Sequence, residues 1–169
     1  ENKLVAFPNT NYISSEKTRN LIDSGKIREL GSNQSLNTEV ILDLQPDLIV
    51  GFSVDGDMKI YKNLEQNGQK IILNSDWTEK TPLGKAEWIK FFGVLFDKAD
   101  EANTIYNKIK SDYKEAVALA RNTKSLPTVM AGSMYEDQWY LPQGGSWAAY
   151  FLNEANSYYL WKDTEGTGS

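Results

Sequence analysis

The apolar and polar positions of this chain fall into short blocks that predict helices and strands in alternation. In the segment 37–51, Val40, Ile41 and Leu44 form one apolar helical face, and the run Leu48–Val50 follows without polar alternation. Such an unbroken run is typical of a parallel strand covered on both faces. The segment therefore predicts a short helix that leads directly into a buried strand.

Capping residues predict where this helix begins and ends. Asn37 or Thr38 can cap the first turn with a side-chain oxygen, and Glu39 lies where the helix dipole favours an anion. Because Pro46 disfavours helical geometry at the residue before it, the helix is expected to end at Gln45.

The rest of the chain continues the alternation of helices and strands. Further strands are predicted at 4–7, 27–30, 70–73 and 128–131, further helices at 16–24, 57–67, 82–95, 98–121 and 148–152, and loops at 31–36 and 133–143. Gly25 and Gly68 are expected to end the helices before them, and Thr81 with Pro82 to open the next one. The order strand, helix, strand over 47–73 predicts parallel pairing with a right-handed crossover.

The segment 98–121 is predicted to be the longest helix. Apolar residues recur in it every three or four positions, at Ala99, Ala102, Ile105, Ile109, Tyr113, Ala116 and Ala120. Two dozen helical residues span about 36 Å. This length fits a strut between two lobes better than a crossover that covers a sheet.

The chain resembles a known family at the segment described first. The matching residues are Asn37, Glu39, Ile41, Leu44, Pro46, Asp47, Leu48, Ile49 and Val50. They follow the pattern N-x-E-x-I-x-x-L-x-P-D-L-(I/V)-(I/V) of the periplasmic substrate-binding proteins of ABC importers, in the branch that carries iron–siderophores, haem and cobalamin. The predicted order of elements is similar to that family over nearly the whole chain.

The resemblance implies an α/β fold: a parallel-sheet lobe with flanking helices, a long connecting helix and the start of a second α/β lobe. The expected boundaries are 1–96 for the first lobe, 97–123 for the connecting helix and 124–169 for the second lobe. The usual first strand and helix are missing from the first lobe, and the second lobe normally continues further. The chain is therefore expected to be an excerpt of a longer protein.

The composition narrows the possible partners. An apolar fraction of 40% and a charged fraction of 24% over 169 residues are those of a soluble globular protein. The net charge of −5 without a run of basic residues argues against nucleic acid as a partner. No apolar stretch approaches the roughly 20 residues that span a bilayer, so no direct membrane span is expected.

Cysteine and histidine are both absent from the sequence. Their absence excludes nucleophilic catalysis by a thiol and by a Ser–His or Cys–His pair. It leaves only carboxylates or tyrosine as ligands for a transition metal. We therefore predict no metal site and no cofactor within these residues.

Candidate ligand-binding residues come from the rule that ligands bind beyond the carboxyl ends of parallel strands. The rule selects the loops 8–12, 52–56, 74–77 and 133–143. The candidates in them are Asn9, Thr10, Tyr12, Phe52, Ser53, Trp77, Tyr135, Trp139 and Tyr140. Aromatic rings with a few amide and hydroxyl groups suit a large, partly apolar, flat ligand. The alternative for each aromatic is that it packs in the core.

Two further motifs have competing interpretations. Gly144 and Gly145 precede a helix, where free backbone N–H groups can bind an anion; a plain turn with Ser146 as N-cap is the favoured alternative. The resemblance implies that an acidic residue of each lobe docks on the permease, which nominates Asp55 and Asp57. Met58 stands where the acid is expected, and Asp57 can instead cap its helix.

We interpret the chain as the extracytoplasmic solute-binding component of an ABC importer, and not as an enzyme. It would capture a small-molecule metal chelate (iron–siderophore or haem) or a corrinoid (cobalamin) in a cleft between two lobes and deliver it to the membrane permease. The resemblance implies a periplasmic or cell-surface location and leaves lipoprotein anchoring open.

Two other functions stay open. One is an interaction domain with a carbohydrate or protein partner. The other is a hydrolase that uses a carboxylate pair from Glu136, Asp137, Asp163 and Glu165, for which the spacing fixes no pair.

Overall fold

The computed structural model describes residues 3–33, 35–53 and 58–168. The chain divides into two compact units, Glu1–Ser75 and Asp76–Ser169. Residues 76–96, which are expected in the first lobe, belong to the second compact unit. The lobe boundaries of the whole protein stay a prediction.

The first unit alternates short strands and helices. In chain order they are β1 (Ala6–Phe7), α1 (Glu16–Asp23), β2 (Arg28–Glu29), β3 (Gly31–Ser32), β4 (Ser35–Leu36), α2 (Thr38–Leu44), β5 (Ile49–Gly51), α3 (Lys59–Gln66) and β6 (Ile71–Leu73). β1 pairs with β2 and β5 with β6, both in parallel, while β3 and β4 form an antiparallel pair. The segment predicted as the loop 31–36 is therefore a small hairpin.

The caps of α2 agree with the sequence. Asn37 Oδ1 accepts a hydrogen bond from the Val40 N–H at 3.1 Å, so Asn37, and not Thr38, is the cap. Gln45 takes a left-handed conformation with φ 44°, which ends the helix before Pro46 as predicted. Gly25 also has positive φ, the conformation in which glycine commonly ends a helix.

One hydrophobic cluster joins the strands of the first unit to α2 and α3. Its buried members are Leu30, Ile41 and Leu64, and the partly buried residues packed on them are Ala6, Leu36, Val40, Leu42, Ile49 and Ile71. The prediction that the strand 47–51 is covered on both faces is wrong for Val50, whose side chain is 41% exposed. The cause is that side chains alternate along a strand, and the cluster covers the face of Ile49.

The second unit is mainly helical. Its elements are α4 (Pro82–Glu87), α5 (Ile89–Leu95), α6 (Ala99–Arg121), β7 (Thr128–Val129), β8 (Ser133–Tyr135), β9 (Gln138–Tyr140), α7 (Trp147–Glu154) and β10 (Tyr158–Tyr159). β7 and β10 pair in parallel, and β8 and β9 form an antiparallel hairpin. The predicted loop 133–143 thus contains two paired strands.

The helix predicted at 82–95 is interrupted. Thr81 Oγ1 accepts a hydrogen bond from the Gly84 N–H at 3.0 Å, as its predicted N-cap role requires. Trp88 separates α4 from α5, and its ψ of −16° is less negative than in a regular helix. Its indole N–H donates to Glu79 Oε1 at 3.0 Å, a contact that the helical periodicity cannot predict.

α6 is the long helix that the sequence predicts, with 23 residues. Ala102 and Tyr106 are its buried residues, and the Lys90 ammonium of α5 lies 4.0 Å from the centre of the Tyr106 ring. Across the residues that the structure describes, no helix combines the length and the apolar character needed to cross a membrane.

Candidate functional site

The loop after β1 forms a compact turn. Thr10–Tyr12 is a single 3₁₀ turn, preceded by Asn9 in a left-handed conformation with φ 51°. The Tyr12 N–H donates to the Asn9 carbonyl at 3.0 Å and the Ile13 N–H to the Thr10 carbonyl at 3.1 Å. The Tyr12 side chain is 82% exposed, so this turn presents an aromatic ring to solvent.

Glu29, at the end of β2, binds this turn. Its Oε2 accepts hydrogen bonds from the Thr10 N–H at 2.9 Å and from the Thr10 hydroxyl, and its Oε1 accepts one from the Gly31 N–H at 2.9 Å. The Thr10 hydroxyl contributes most to holding the pKa of Glu29 below its ordinary value. The carboxylate form is therefore stabilised here.

Phe52, the first residue after β5, is held from α3. The Tyr61 hydroxyl accepts a hydrogen bond from the Phe52 N–H at 3.1 Å and donates one to the Phe52 carbonyl at 3.0 Å. The Tyr61 ring packs so closely over Gly51 that a Cβ there would lie 2.6 Å from the ring Cζ. The Phe52 backbone, directly before Ser53, is therefore held in place, and the Phe52 side chain is 40% exposed.

Trp77 lies in the 3₁₀ turn Asp76–Thr78 at the start of the second unit, with 43% of its side chain exposed. The Lys85 ammonium donates to the Asp76 carbonyl at 3.2 Å and lies 5.4 Å from the centre of the Trp147 ring. Lys85 thus fixes the beginning of the turn that carries Trp77.

The hairpin β8–β9 carries the other three predicted aromatics. Tyr135 pairs with Gln138, Met134 with Trp139 and Ser133 with Tyr140. The rings of Tyr135 and Tyr140 meet edge to face with centroids 6.5 Å apart. Tyr135 is 67% exposed, Trp139 44% and Tyr140 39%.

The turn before α7 uses its N–H groups within the protein. The Gly144 N–H donates to Thr164 Oγ1 and the Gly145 N–H to the Gly166 carbonyl, both at 2.9 Å. Ser146 Oγ accepts from the Ala149 N–H at 3.2 Å. The favoured interpretation, a turn with Ser146 as N-cap, is confirmed, and the two glycine N–H groups are not available to an anion.

The predicted site residues fall into four local groups. They are the turn with Asn9, Thr10 and Tyr12, the end of β5 with Phe52 and Ser53, the turn with Trp77, and the hairpin with Tyr135, Trp139 and Tyr140. Thr10 is buried, at 6% exposed, whereas the six aromatic members are all at least 39% exposed. Asp55 and Asp57 lie outside the described residues, and α3 begins after Met58 as its N-cap.

The sequence matches the family described as periplasmic binding protein over residues 1–160. The chain belongs to the periplasmic binding protein family. This periplasmic binding protein is 31% identical over 149 residues to an uncharacterized lipoprotein of Methanocaldococcus jannaschii, a match that covers 86% of this chain and 35% of the relative.

Solved structures of similar fold include two periplasmic proteins. A haem-binding protein from Roseiflexus sp. RS-1 in its apo form matches with a TM-score of 0.74 at 16% identity, over 97% of this chain and 60% of that chain. The vitamin B12 binding protein of Vibrio cholerae matches with a TM-score of 0.66 at 17% identity, over 98% and 60% respectively. This periplasmic binding protein therefore has their fold and spans only part of the length of each relative.

The family consists of binding proteins, which confirms for this chain the expectation that it is not an enzyme. The carboxylates considered for hydrolysis are exposed, with Glu136 and Asp137 in the β8–β9 turn and Asp163 and Glu165 after β10. Among the described residues, no group of three or more carboxylates is close enough to hold a metal ion.

A pocket of about 450 Å³ lies among α4, α6 and α7 of this periplasmic binding protein. Thr81, Tyr113, Arg121, Tyr150 and Glu154 contribute to its wall, and Arg121 pairs with Glu154 at its edge. The residues predicted from the strand ends do not line it.

Two residues of the site region were not found from the sequence. Glu29 was assigned only to the strand 27–30 and Tyr61 only to the helix 57–67, although each holds the backbone of a candidate loop. The signal available for Glu29 was its position at the carboxyl end of a predicted strand.

Proposed function

We propose that this periplasmic binding protein is the ligand-capturing component of an ABC importer for a metal chelate or a corrinoid, such as an iron–siderophore, haem or cobalamin. The observation that carries the proposal is the exposure of all six candidate aromatic side chains. Tyr12 and Phe52 are exposed in the first unit, and Trp77, Tyr135, Trp139 and Tyr140 are exposed in the second. Aromatic side chains that stay exposed and cluster at loops and on a hairpin commonly mark a ligand-binding or interaction surface.

The ligand class follows from the chemistry of these side chains. Aromatic rings stack on flat, partly apolar surfaces, and the nearby hydroxyl and amide groups can orient a polar edge. Histidine and cysteine are absent from this sequence, which favours a metal that arrives already chelated over a bare ion. The two solved neighbours described above bind haem and vitamin B12 by their descriptions, and both compounds fit this class.

Location and partner belong to the same proposal. The relative from Methanocaldococcus jannaschii is described as a lipoprotein, which supports anchoring of this protein at the outer side of the cytoplasmic membrane. Delivery to a membrane permease, with Asp55 and Asp57 as docking acids, rests on the family resemblance.

Equilibrium dialysis of the full-length protein against haemin, cyanocobalamin and a ferric trihydroxamate tests the proposal. Dialysis avoids the optical interference that these coloured compounds cause in fluorescence. We expect saturable binding of one class, weakened by about tenfold or more in Trp139→Ala and in Tyr12→Ala, because a stacked aromatic anchor commonly dominates an interface.

The control is Phe96→Ala, which removes an aromatic side chain that is 54% exposed but belongs to the connection between α5 and α6 and to none of the candidate loops. Its affinity should equal that of the wild type. The proposal fails when none of the three compounds binds, or when both site variants bind as tightly as the control. Binding of a glycan or a protein instead would support the interaction-domain alternative.

A further inference from the structure

The carboxylate of Glu29 holds the turn that presents Tyr12. Glu29 accepts three hydrogen bonds, two from Thr10 and one from Gly31, and both of its oxygens are used. The register of β1 and β2 places Glu29 opposite Phe7, three residues before Thr10. The carboxylate is thus anchored in a paired strand while its oxygens hold a loop.

Other contacts hold the same turn from two sides. The Asn9 N–H donates to the Gly31 carbonyl at 2.8 Å, and Arg19 Nη1 of α1 donates to the Thr10 carbonyl at 2.7 Å. The Arg19 guanidinium is itself oriented by Asp23 at 3.4 Å. The backbone of Asn9 and Thr10 is therefore satisfied by protein groups, and the turn does not need a ligand to form.

Thr10 is the buried residue at the centre of this turn, and Tyr12 is the residue that the turn exposes. Thr10 is 6% exposed, whereas Tyr12, two residues later, is 82% exposed. A side chain that is this exposed has few contacts of its own to fix it. Its position is consequently set by the backbone, and the backbone is set by Thr10.

We propose that Glu29 is a positioning residue for ligand binding: it holds the Asn9–Tyr12 turn so that the Tyr12 ring is presented before the ligand arrives. The inference rests on the proposed function, because it assigns a role to Tyr12 as a ligand contact. Pre-forming a loop raises affinity by removing the cost of ordering it on binding.

A carboxylate suits this role better than its amide. Hydrogen bonds to an ionised acceptor are stronger than neutral ones, and a carboxylate has only acceptor oxygens. In Glu29→Gln one of the two terminal atoms becomes an NH₂ group, which would face either the Thr10 donors or the Gly31 N–H. At least one hydrogen bond is then lost, because the new NH₂ group and the group that it faces are both donors.

The predicted kinetic effect is specific. When the binding-competent turn is populated only part of the time, the apparent affinity falls by that fraction. We expect Glu29→Gln to lower the association rate constant by about tenfold, on the order expected for the loss of charge-assisted bonds. Thr10→Val, which removes the hydroxyl donor, should have an effect in the same direction, and Thr10→Ser, which keeps it, should restore the wild-type rate.

The experiment is stopped-flow binding of the full-length protein to whichever of haemin, cyanocobalamin or ferric trihydroxamate the wild type binds. The double variant Glu29→Gln/Thr10→Val should be no slower than the slower single variant, because both changes remove the same interaction. The matched control is Glu65→Gln on α3, an exposed glutamate of the same unit, which should leave the rate unchanged.

Amide hydrogen exchange of the ligand-free protein supplies a second measurement. The Thr10 and Gly31 N–H groups should exchange faster in Glu29→Gln than in the wild type, while the α2 amides keep their protection. Unchanged exchange at both positions would overturn the inference, because the turn would then hold without the carboxylate.

The two proposals fail in different ways. When the wild type binds a probe and Tyr12→Ala weakens it, wild-type association rates in Glu29→Gln would overturn the positioning role alone. Failure of the wild type to bind any of the three probes would overturn the proposed function, and the ligand role of Glu29 with it.

Discussion

The hydroxyl of Tyr61 closes a ring with the backbone of Phe52: it accepts from the Phe52 N–H at 3.1 Å and donates to the Phe52 carbonyl at 3.0 Å. Tyr61 is only 6% exposed, so its ring belongs to the core while its hydroxyl reaches the end of β5. One side chain thus couples the core of the first unit to the backbone of a candidate ligand loop.

Tyr61→Phe should therefore loosen this loop and leave the core packed. We expect the free energy of unfolding to fall by about 1 kcal/mol, since the released backbone groups of Phe52 lie near solvent and can bind water. Urea unfolding measures the loss, and amide exchange of Phe52 should accelerate. Tyr150→Phe, at a tyrosine 43% exposed on α7, is the control and should change neither quantity.

Tyr113 and Tyr159 should respond in opposite directions to the loss of their hydroxyls. Within the part of the chain that the structure describes, the buried Tyr113 hydroxyl has no hydrogen-bond partner, whereas the Tyr159 hydroxyl donates to the Pro142 carbonyl at 2.7 Å. Tyr113→Phe should be neutral or stabilise by up to about 1 kcal/mol, and Tyr159→Phe should destabilise by about 1 kcal/mol. Urea unfolding of both variants measures the sign of each change in the free energy of unfolding. Equal losses would contradict the difference in hydrogen bonding between the two hydroxyls.

Because of the same two tyrosines, we expect the protein to lose stability at alkaline pH. Burial raises the pKa of both phenols above the ordinary value of 10.0, so the folded protein keeps these protons to higher pH than the unfolded chain. Because the unfolded state then binds fewer protons, the free energy of unfolding falls as pH rises above about 10. Unfolding curves between pH 8 and pH 11, in about half-unit steps, should show the fall. The slope of this fall should be smaller in Tyr113→Phe than in the wild type.

Gly144→Ala should displace the C-terminal segment. A Cβ at Gly144 would collide with the Lys162 carbonyl and would lie 2.6 Å from the Thr164 carbonyl, and both atoms belong to backbone that cannot rotate away. We expect a loss of about 1–3 kcal/mol and faster tryptic cleavage after Lys162. At Gly168 a Cβ would have its nearest neighbour at 3.8 Å, so Gly168→Ala should be cleaved at the wild-type rate.

Leu64→Ala tests whether one core supports the first unit. The Leu64 side chain is fully buried at 0% exposed and belongs to the cluster with Leu30 and Ile41. Its truncation should cost about 2–5 kcal/mol, because a cavity remains where the side chain was. Leu119→Ala, at a leucine 65% exposed on α6, should cost less than about 0.5 kcal/mol. Similar costs for the two variants in urea unfolding would contradict this description of the core.

The helix ends could be predicted because they depend on neighbours in sequence. Asn37 contacts a backbone N–H three residues later, as does Ser146, and Pro46 acts on the residue directly before it. The strand–helix–strand order likewise predicted the parallel pairing of β5 and β6. Candidate aromatics could be selected from strand ends, and their role as ligand contacts stays a prediction.

The pattern of apolar and polar positions could not predict contacts between residues that are distant in sequence. Glu29 binds Thr10 from nineteen positions away, and Tyr61 binds Phe52 from nine. At the interruption between α4 and α5, the Trp88 indole binds Glu79, outside the helix, and the exposure of Val50 depends on which face of β5 the core covers. The sequence by itself determined the N-caps of α2, α4 and α7, the order β5–α3–β6 and the family. Tertiary structure alone decided which side chains hold the candidate loops. A hydrogen bond between residues that are distant in sequence forms only after folding has brought the donor and the acceptor together.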